Sequence, residues 1–233
     1  SLAALRDADE STLVEHCQEV GRIIPVMGFY LQTAVGGRLL PYSFWRSFAE
    51  IPQVVAIKMA PFNRYQTLDV IRAVVDAHHD DIALYRGNDD NIVVDLLTPY
   101  RFPRADGVVE RRIVGGLLGQ WAVWTSTAVQ LLEQCHELTG TGETVPVKIL
   151  AQNAAWTDAN AAIFDAANNF SGCIPGIHEV LRGQGLLEGT WCNDPEKVLS
   201  RGQREEIDRV RAAYPHLCDD AFVAEHRDEW LRP

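Results

Sequence analysis

The chain has 233 residues, 47% of them apolar and 23% charged, a globular composition with enough length for one large core or two small ones. Its net charge of −11 argues against nucleic acid, which needs a basic face, and against an anionic membrane surface. No window reaches the roughly 18 uninterrupted apolar residues of a membrane span, and Ser1–Asp9 lacks the basic start and apolar core of a signal peptide.

In chain order, the pattern predicts a polar helix over Glu10–Val20, capped by Ser11 or by the acids before it. A strand follows over Ile23–Leu31, and Gly36-Gly37 and Pro41 mark the loop after it. A helix over Ser43–Glu50 carries Phe44, Trp45 and Phe48 at helical spacing and leads into the apolar strand Val54–Ala60. Next come a helix over Thr67–Ala77 with Leu68, Ile71, Val74 and Val75 as its stripe, a strand over Ile82–Tyr85, and a helix over Asn91–Leu97. A polar loop is expected over Pro103–Glu110, a fourth strand over Ile113–Leu118 and a helix over Thr125–Leu138. Beyond Gly142 the pattern is helical: Val147–Asn169, a break over Ser171–Gly176, then Ile177–Arg182 and Arg204–Ala213. Strand and helix in strict alternation followed by a helical tail reads as parallel βα units with an appended extension, an α/β fold.

Five cysteines, widely spaced and without a Cys-x-x-Cys pair, give neither a disulfide framework nor a zinc site; a reducing cytoplasm fits best, with no metal or cofactor expected.

Lys58 is the residue that carries most chemistry. It sits inside Val54-Val55-Ala56-Ile57-Lys58-Met59-Ala60, in a chain with only three lysines, Lys58, Lys148 and Lys197. A strand buried on both faces strips water from an ammonium, which favours the neutral amine that Schiff-base chemistry with a carbonyl requires. The alternative is a strand-end lysine that snorkels to solvent or meets a distant carboxylate.

Strand ends also deliver Tyr30 and the turn Gly87-Asn88-Asp89-Asp90-Asn91. In an α/β barrel these ends share one mouth with Lys58, where a tyrosine serves as a proton shuttle; alone, Tyr30 is an aromatic core residue. The Gly87 turn is a helix cap, a substrate-facing loop, or a cation site with Asp95 as the nearest further carboxylate. Gly115-Gly116 is a candidate anion cradle, for which two glycines are a weak signal.

Tyr30 at one strand end, Ile57-Lys58 at the next, Gly87-Asn88-Asp89 at a third, and a tail with Pro175-Gly176-Ile177-His178-Glu179-Val180-Leu181 and Pro195 to Ser200 together resemble the dihydrodipicolinate synthase and N-acetylneuraminate lyase superfamily. The resemblance implies the back half, strands five to eight, of a (β/α)8 TIM barrel over residues 1–141, with a C-terminal helical extension over 142–233. It implies a class I aldolase or lyase that makes or breaks a C–C bond of a 2-oxo acid such as pyruvate through an imine on Lys58, with Tyr30 relaying protons. Gly87, Asn88, Asp89, Arg38 and Gly116 would bind substrate; Val35 stands where the superfamily's arginine is expected, and Arg38 lies three residues on. The superfamily's Gly-Thr/Ser-Thr turn belongs to a front half that this sequence lacks, so a partial chain is expected, inactive by itself and paired with the missing half or with other copies. A non-catalytic half-barrel acting in assembly or regulation is a second reading. A metal-dependent lyase using Asp89, Asp90 and Asp95 is a third.

Overall fold

The computed structural model describes residues 2–142 and 144–232, so Ser1 and Pro233, the outer limits of the two expected domains, lie outside the described residues. The chain forms two compact units, residues 1–88 with 95–117, and residues 89–94 with 118–233. The division at 117 differs from the expected one at 141, because the helix after the fourth strand groups with the helical unit.

The first unit opens with helix α1 (Glu10–Gly21), whose first free backbone N–H groups are met by Asp9: its carboxylate accepts from Thr12 N at 2.9 Å, so the acid, not Ser11, is the cap. Then follow β1 (Val26–Leu31), α2 (Tyr42–Ala49), β2 (Val54–Ala60), α3 (Arg64–Asp76) and β3 (Ala83–Arg86). Asn63 caps α3, accepting from the amides of Tyr65 and Gln66. The short helix α4 (Ile92–Leu97) precedes two strands, β4 (Tyr100–Arg104) and β5 (Gly107–Arg111), and then β6 (Gly115–Gly116).

Strands β1, β2, β3 and β6 form one parallel sheet in that order. The expected four strands are therefore present, but the alternation is not strict. The segment read as a polar loop, Pro103–Glu110, pairs antiparallel as the hairpin β4–β5, turning at Ala105-Asp106 into Gly107 with φ +138°. Arg111 ties this hairpin to the carbonyls of Asp80 and Ile82, and Arg104 ties it to Val75 O. The fourth strand is shorter than Ile113–Leu118, although Val114 N and Leu117 N still bond to Leu84 O and Arg86 O.

One face of the sheet is sealed by helices. Ile57, Met59 and Leu84 are fully buried there, along with Phe44, Trp45 and Phe48 of α2 and Val70, Ile71 and Val74 of α3; Leu68 lies outside that stripe. The fit is close: a Cβ on Gly28 would come within 2.8 Å of the Phe48 ring. Burying side chains of this size contributes on the order of 1.5–3 kcal/mol each, the main source of the unit's stability.

The second unit is helical: α5 (Thr125–Gly140), α6 (Lys148–Ile163), α7 (Cys173–Gly183), α8 (Gln203–Ala213) and α9 (Asp220–Trp230). The break expected over Ser171–Gly176 is shorter, because α7 already begins at Cys173. Pro175 falls in its first turn, where a missing N–H costs nothing. Asp165, in the left-handed region with φ 58°, anchors the link between α6 and α7; its carboxylate accepts from Asn168, Ser171, Gly172 N and Ser200. Among the described residues, no helix is long and apolar enough to cross a membrane.

Candidate active site

Register decides which side chains meet Lys58. Pairing starts at Val26↔Val54, then shifts by one, so that Met27 faces Ala56 and Phe29 faces Lys58. The extra residue is Val55, which bulges out and is 51% exposed. On the other side Lys58 faces Tyr85, and Tyr85 faces Gly115. Phe29, Lys58, Tyr85 and Gly115 therefore form one row on one face of the sheet, since paired residues of neighbouring strands point the same way.

That face is partly open: Met27 is 42% and Phe29 47% exposed, and Lys58 is half-buried. The β2 strand is therefore not buried on both faces, and Lys58 does not sit in a dry slot. Its Nζ lies 4.2 Å from the centroid of the Phe29 ring, whose negative face attracts a cation. Its stem passes close to Gly87, where an added Cβ would stand 2.8 Å from Lys58 Cε and 2.8 Å from Ala60 Cβ. Only glycine leaves the lysine in its present path.

The expectation that Tyr30 shares a mouth with Lys58 is not met. Tyr30 pairs with Met59, one residue along, and so points to the opposite, helix-covered face. It is 2% exposed, its ring lies 5.1 Å from that of Trp45, and its hydroxyl accepts from Leu40 N at 3.4 Å. Burial raises the Tyr30 pKa; the Leu40 amide opposes this and Asp69 adds to it. Gly116 pairs with Arg86 on that same covered face, so Gly115, not Gly116, belongs to the Lys58 row.

The remaining expected site residues have separate tasks. Asn88, 3% exposed, accepts at Oδ1 from Phe62 N at 3.1 Å, bracing a turn in which Phe62 has φ 52°. It is thus a strut between the ends of β2 and β3. Arg38 donates to the carbonyls of Leu5 and Ala8 at 2.9 and 3.1 Å, holding the segment before α1. Asp89 belongs to the second unit, where it is buried, and the neighbouring Asp90 carbonyl accepts from Thr157.

Asp95 is not available to a cation. Fully buried, it accepts from Arg86 Nε at one oxygen and Arg64 Nη1 at the other, and Tyr100 donates to it at 3.4 Å. Arg86, equally buried, also donates to Thr67 Oγ1. Burial, with the Asp95 charge beside it, pushes the Tyr100 phenol up to about 12. Among the described residues no group of three or more His, Cys, Asp or Glu side chains is placed to hold a metal ion.

A cavity of about 610 Å³ runs beside β1, the edge strand of the sheet, lined by Val26, Met27, Phe29, Arg38, Phe44 and Trp45 among others. Its walls are mainly apolar, with Arg6, His16 and Arg38 at polar positions.

Phe29 and Tyr85 are the residues the sequence reading missed. The period-two alternation shows that Phe29 and Tyr30 face opposite ways, which is a usable signal; which of them joins Lys58 depends on the Val55 bulge.

No family model and no curated protein matches the sequence. Solved structures do match. The dihydrodipicolinate synthase of Bacteroides thetaiotaomicron is similar at 15% identity and a TM-score of 0.66, over 88% of this chain and 62% of that one. Variants of the Sulfolobus solfataricus 2-keto-3-deoxygluconate aldolase are similar at 15% identity with a TM-score of 0.61, and at 14% with 0.59 for one in a pyruvate complex. Each of those two matches covers 91% of this chain and 63% of the aldolase. The chain thus spans less than two thirds of the length of the proteins it matches, and over that span it has the α/β fold of the dihydrodipicolinate synthase-type barrels.

Proposed function

We propose that this chain is the back half, strands five to eight, of a (β/α)8 barrel with a helical extension, and that it carries the nucleophile of a class I aldolase or lyase acting on a 2-oxo acid such as pyruvate. The observation that carries the reading is the position of Lys58, near the carboxyl end of β2 on the open face of a parallel sheet, its stem passing Gly87. The carboxyl ends of strands are where barrel enzymes place their chemistry. The fold match to two aldol-type enzymes, one of them with pyruvate bound, supports the same class.

In this reading the neutral Lys58 amine attacks the C2 carbonyl of the 2-oxo acid. The resulting carbinolamine loses water to give an iminium, and loss of a C3 proton gives an enamine that adds to an aldehyde; the reverse sequence cleaves the C–C bond. Phe29 supplies an apolar wall beside the nitrogen.

Borohydride reduction in the presence of pyruvate and a panel of 2-oxo acids, followed by peptide mass mapping, tests this. With only Lys58, Lys148 and Lys197 to distinguish, the assignment is unambiguous. An adduct on Lys58 that disappears in Lys58→Ala is the expected result. Adducts on the other lysines, or none at Lys58 even in a longer polypeptide that completes the barrel, would end the proposal.

A second reading is an assembly partner. It is favoured by the edge position of β1, which among the described residues pairs only with β2, and by the apolar cavity beside it. A concentration-independent monomer in sedimentation would count against it.

A further inference from the structure

We propose that Tyr85 is the catalytic phenol of this site, moving protons at the Lys58 imine. The inference rests on the function proposed above and deepens it. Tyr85 and Lys58 are direct partners across β2 and β3, so their side chains leave the same face of the sheet from backbones about 4.8 Å apart. Both are long, half-buried side chains with polar tips. Across from Tyr85 stands Gly115, where an added Cβ would lie 3.0 Å from the Tyr85 ring; this missing side chain leaves the ring its place in the row. The other flank of Lys58 is Phe29, which has no proton to give. Tyr30, the hydroxyl expected from the sequence, is on the far side of the sheet with its oxygen turned to Leu40 N.

The chemistry balances with one phenol. The Tyr85 hydroxyl donates its proton to the carbinolamine oxygen, which departs as water while the nitrogen lone pair forms the C=N bond. The phenolate then removes a C3 proton from the iminium, giving the enamine and restoring the hydroxyl. One proton leaves Tyr85 and one returns.

The test compares Tyr85→Phe, Tyr30→Phe and Lys58→Ala with the parent polypeptide, using pyruvate as the probe. Two readouts are taken: the yield of the cyanoborohydride-trapped adduct on Lys58, and lysine-dependent exchange of the pyruvate methyl protons in D2O followed by NMR. Tyr85→Phe is expected to form the adduct more slowly but to the same final yield, while exchange falls on the order of a hundredfold, the usual size of a general acid–base contribution. Tyr30→Phe is expected to exchange like the parent. Adding Phe29→Tyr to Tyr85→Phe places a phenol on the other flank of Lys58 and is expected to restore part of the exchange. Exchange in Tyr85→Phe within twofold of the parent would overturn the inference, as would a matching loss in Tyr30→Phe. Absence of any Lys58 adduct in the parent is a different failure, that of the proposed function itself.

Discussion

Lys58 Nζ sits 4.2 Å from the centre of the Phe29 ring, its partner in the strand ladder, while Tyr30 points through the sheet to the other side. A single inserted residue causes this. Without the bulge, with Val55 paired in the ladder, equal counts from Val26 and Val54 would bring Tyr30 opposite Lys58. With it, the pairing slips by one and every later side chain of β1 changes the neighbour it meets.

The gap at Gly87 makes a first prediction. Gly87→Ala puts a Cβ 2.8 Å from both Lys58 Cε and Ala60 Cβ. The lysine stem can swing away but Ala60 cannot, so overpacking costs about 1–3 kcal/mol and Lys58 leaves its position over Phe29. Urea unfolding should show the modest loss, and trapping by 2-oxo acids at Lys58 should fall much further than stability does. Trapping at parental levels would mean the path of the stem is immaterial.

The buried Arg86–Asp95 pair makes a second. Asp95→Asn keeps the shape but leaves the Arg86 guanidinium without its countercharge in a site fully shut from water. Nη2 of Arg86 already meets no acceptor among the described residues. Removing one partner of such a pair costs about 3–5 kcal/mol, whereas replacing both with apolar residues is far milder. Chemical denaturation of Asp95→Asn and of Arg86→Met/Asp95→Leu should therefore rank the double variant as the more stable. The opposite ranking would show that the pair contributes net stability.

The Asp165 knot predicts a pH dependence in the helical unit. Burial works to raise this carboxyl, but hydrogen bonds from Asn168, Ser200, Gly172 N and Ser171 hold it below the usual value. The folded state therefore binds the proton less readily than the unfolded chain, where an aspartate titrates near about 3.9. Its stabilising contribution is complete above that value and is lost as the pH falls through the lower, folded-state value. Asp165→Asn retains a residue that accepts the left-handed backbone, yet forfeits charge-assisted hydrogen bonds worth about 2 kcal/mol in all. Unfolding curves of the two proteins should differ most at pH 5–7 and converge towards pH 3. A pH-independent gap would place the effect in packing instead.

Much of this molecule is written in local sequence. The strand Val54–Ala60, the Asn63 cap before α3 and the aromatic stripe Phe44, Trp45 and Phe48 of α2 each follow from residues a few positions apart. So does the presence of Lys58 within a strand. The hairpin β4–β5 is an exception: its charges and Pro103 read as a polar loop, and only the pairing of Arg104 with Gly107 reveals the turn at Ala105-Asp106.

What only the tertiary structure decided is who meets whom. The two-residue alternation of a strand is a local property, fixed by backbone geometry, so the sequence by itself separates Phe29 from Tyr30 onto opposite faces. The offset between two strands is a property of neither strand alone. It is set by the bulge at Val55, by the aromatic side chains that must fit over Gly28, and by the ladder bonds that result. The partnership of Asp95 with Arg86 and Arg64 is likewise non-local, since burial brings together charges that the chain carries nine and thirty-one residues apart. Composition and periodicity determined the parts of this protein; packing across the sheet determined that Phe29 and Tyr85, not Tyr30, flank its lysine.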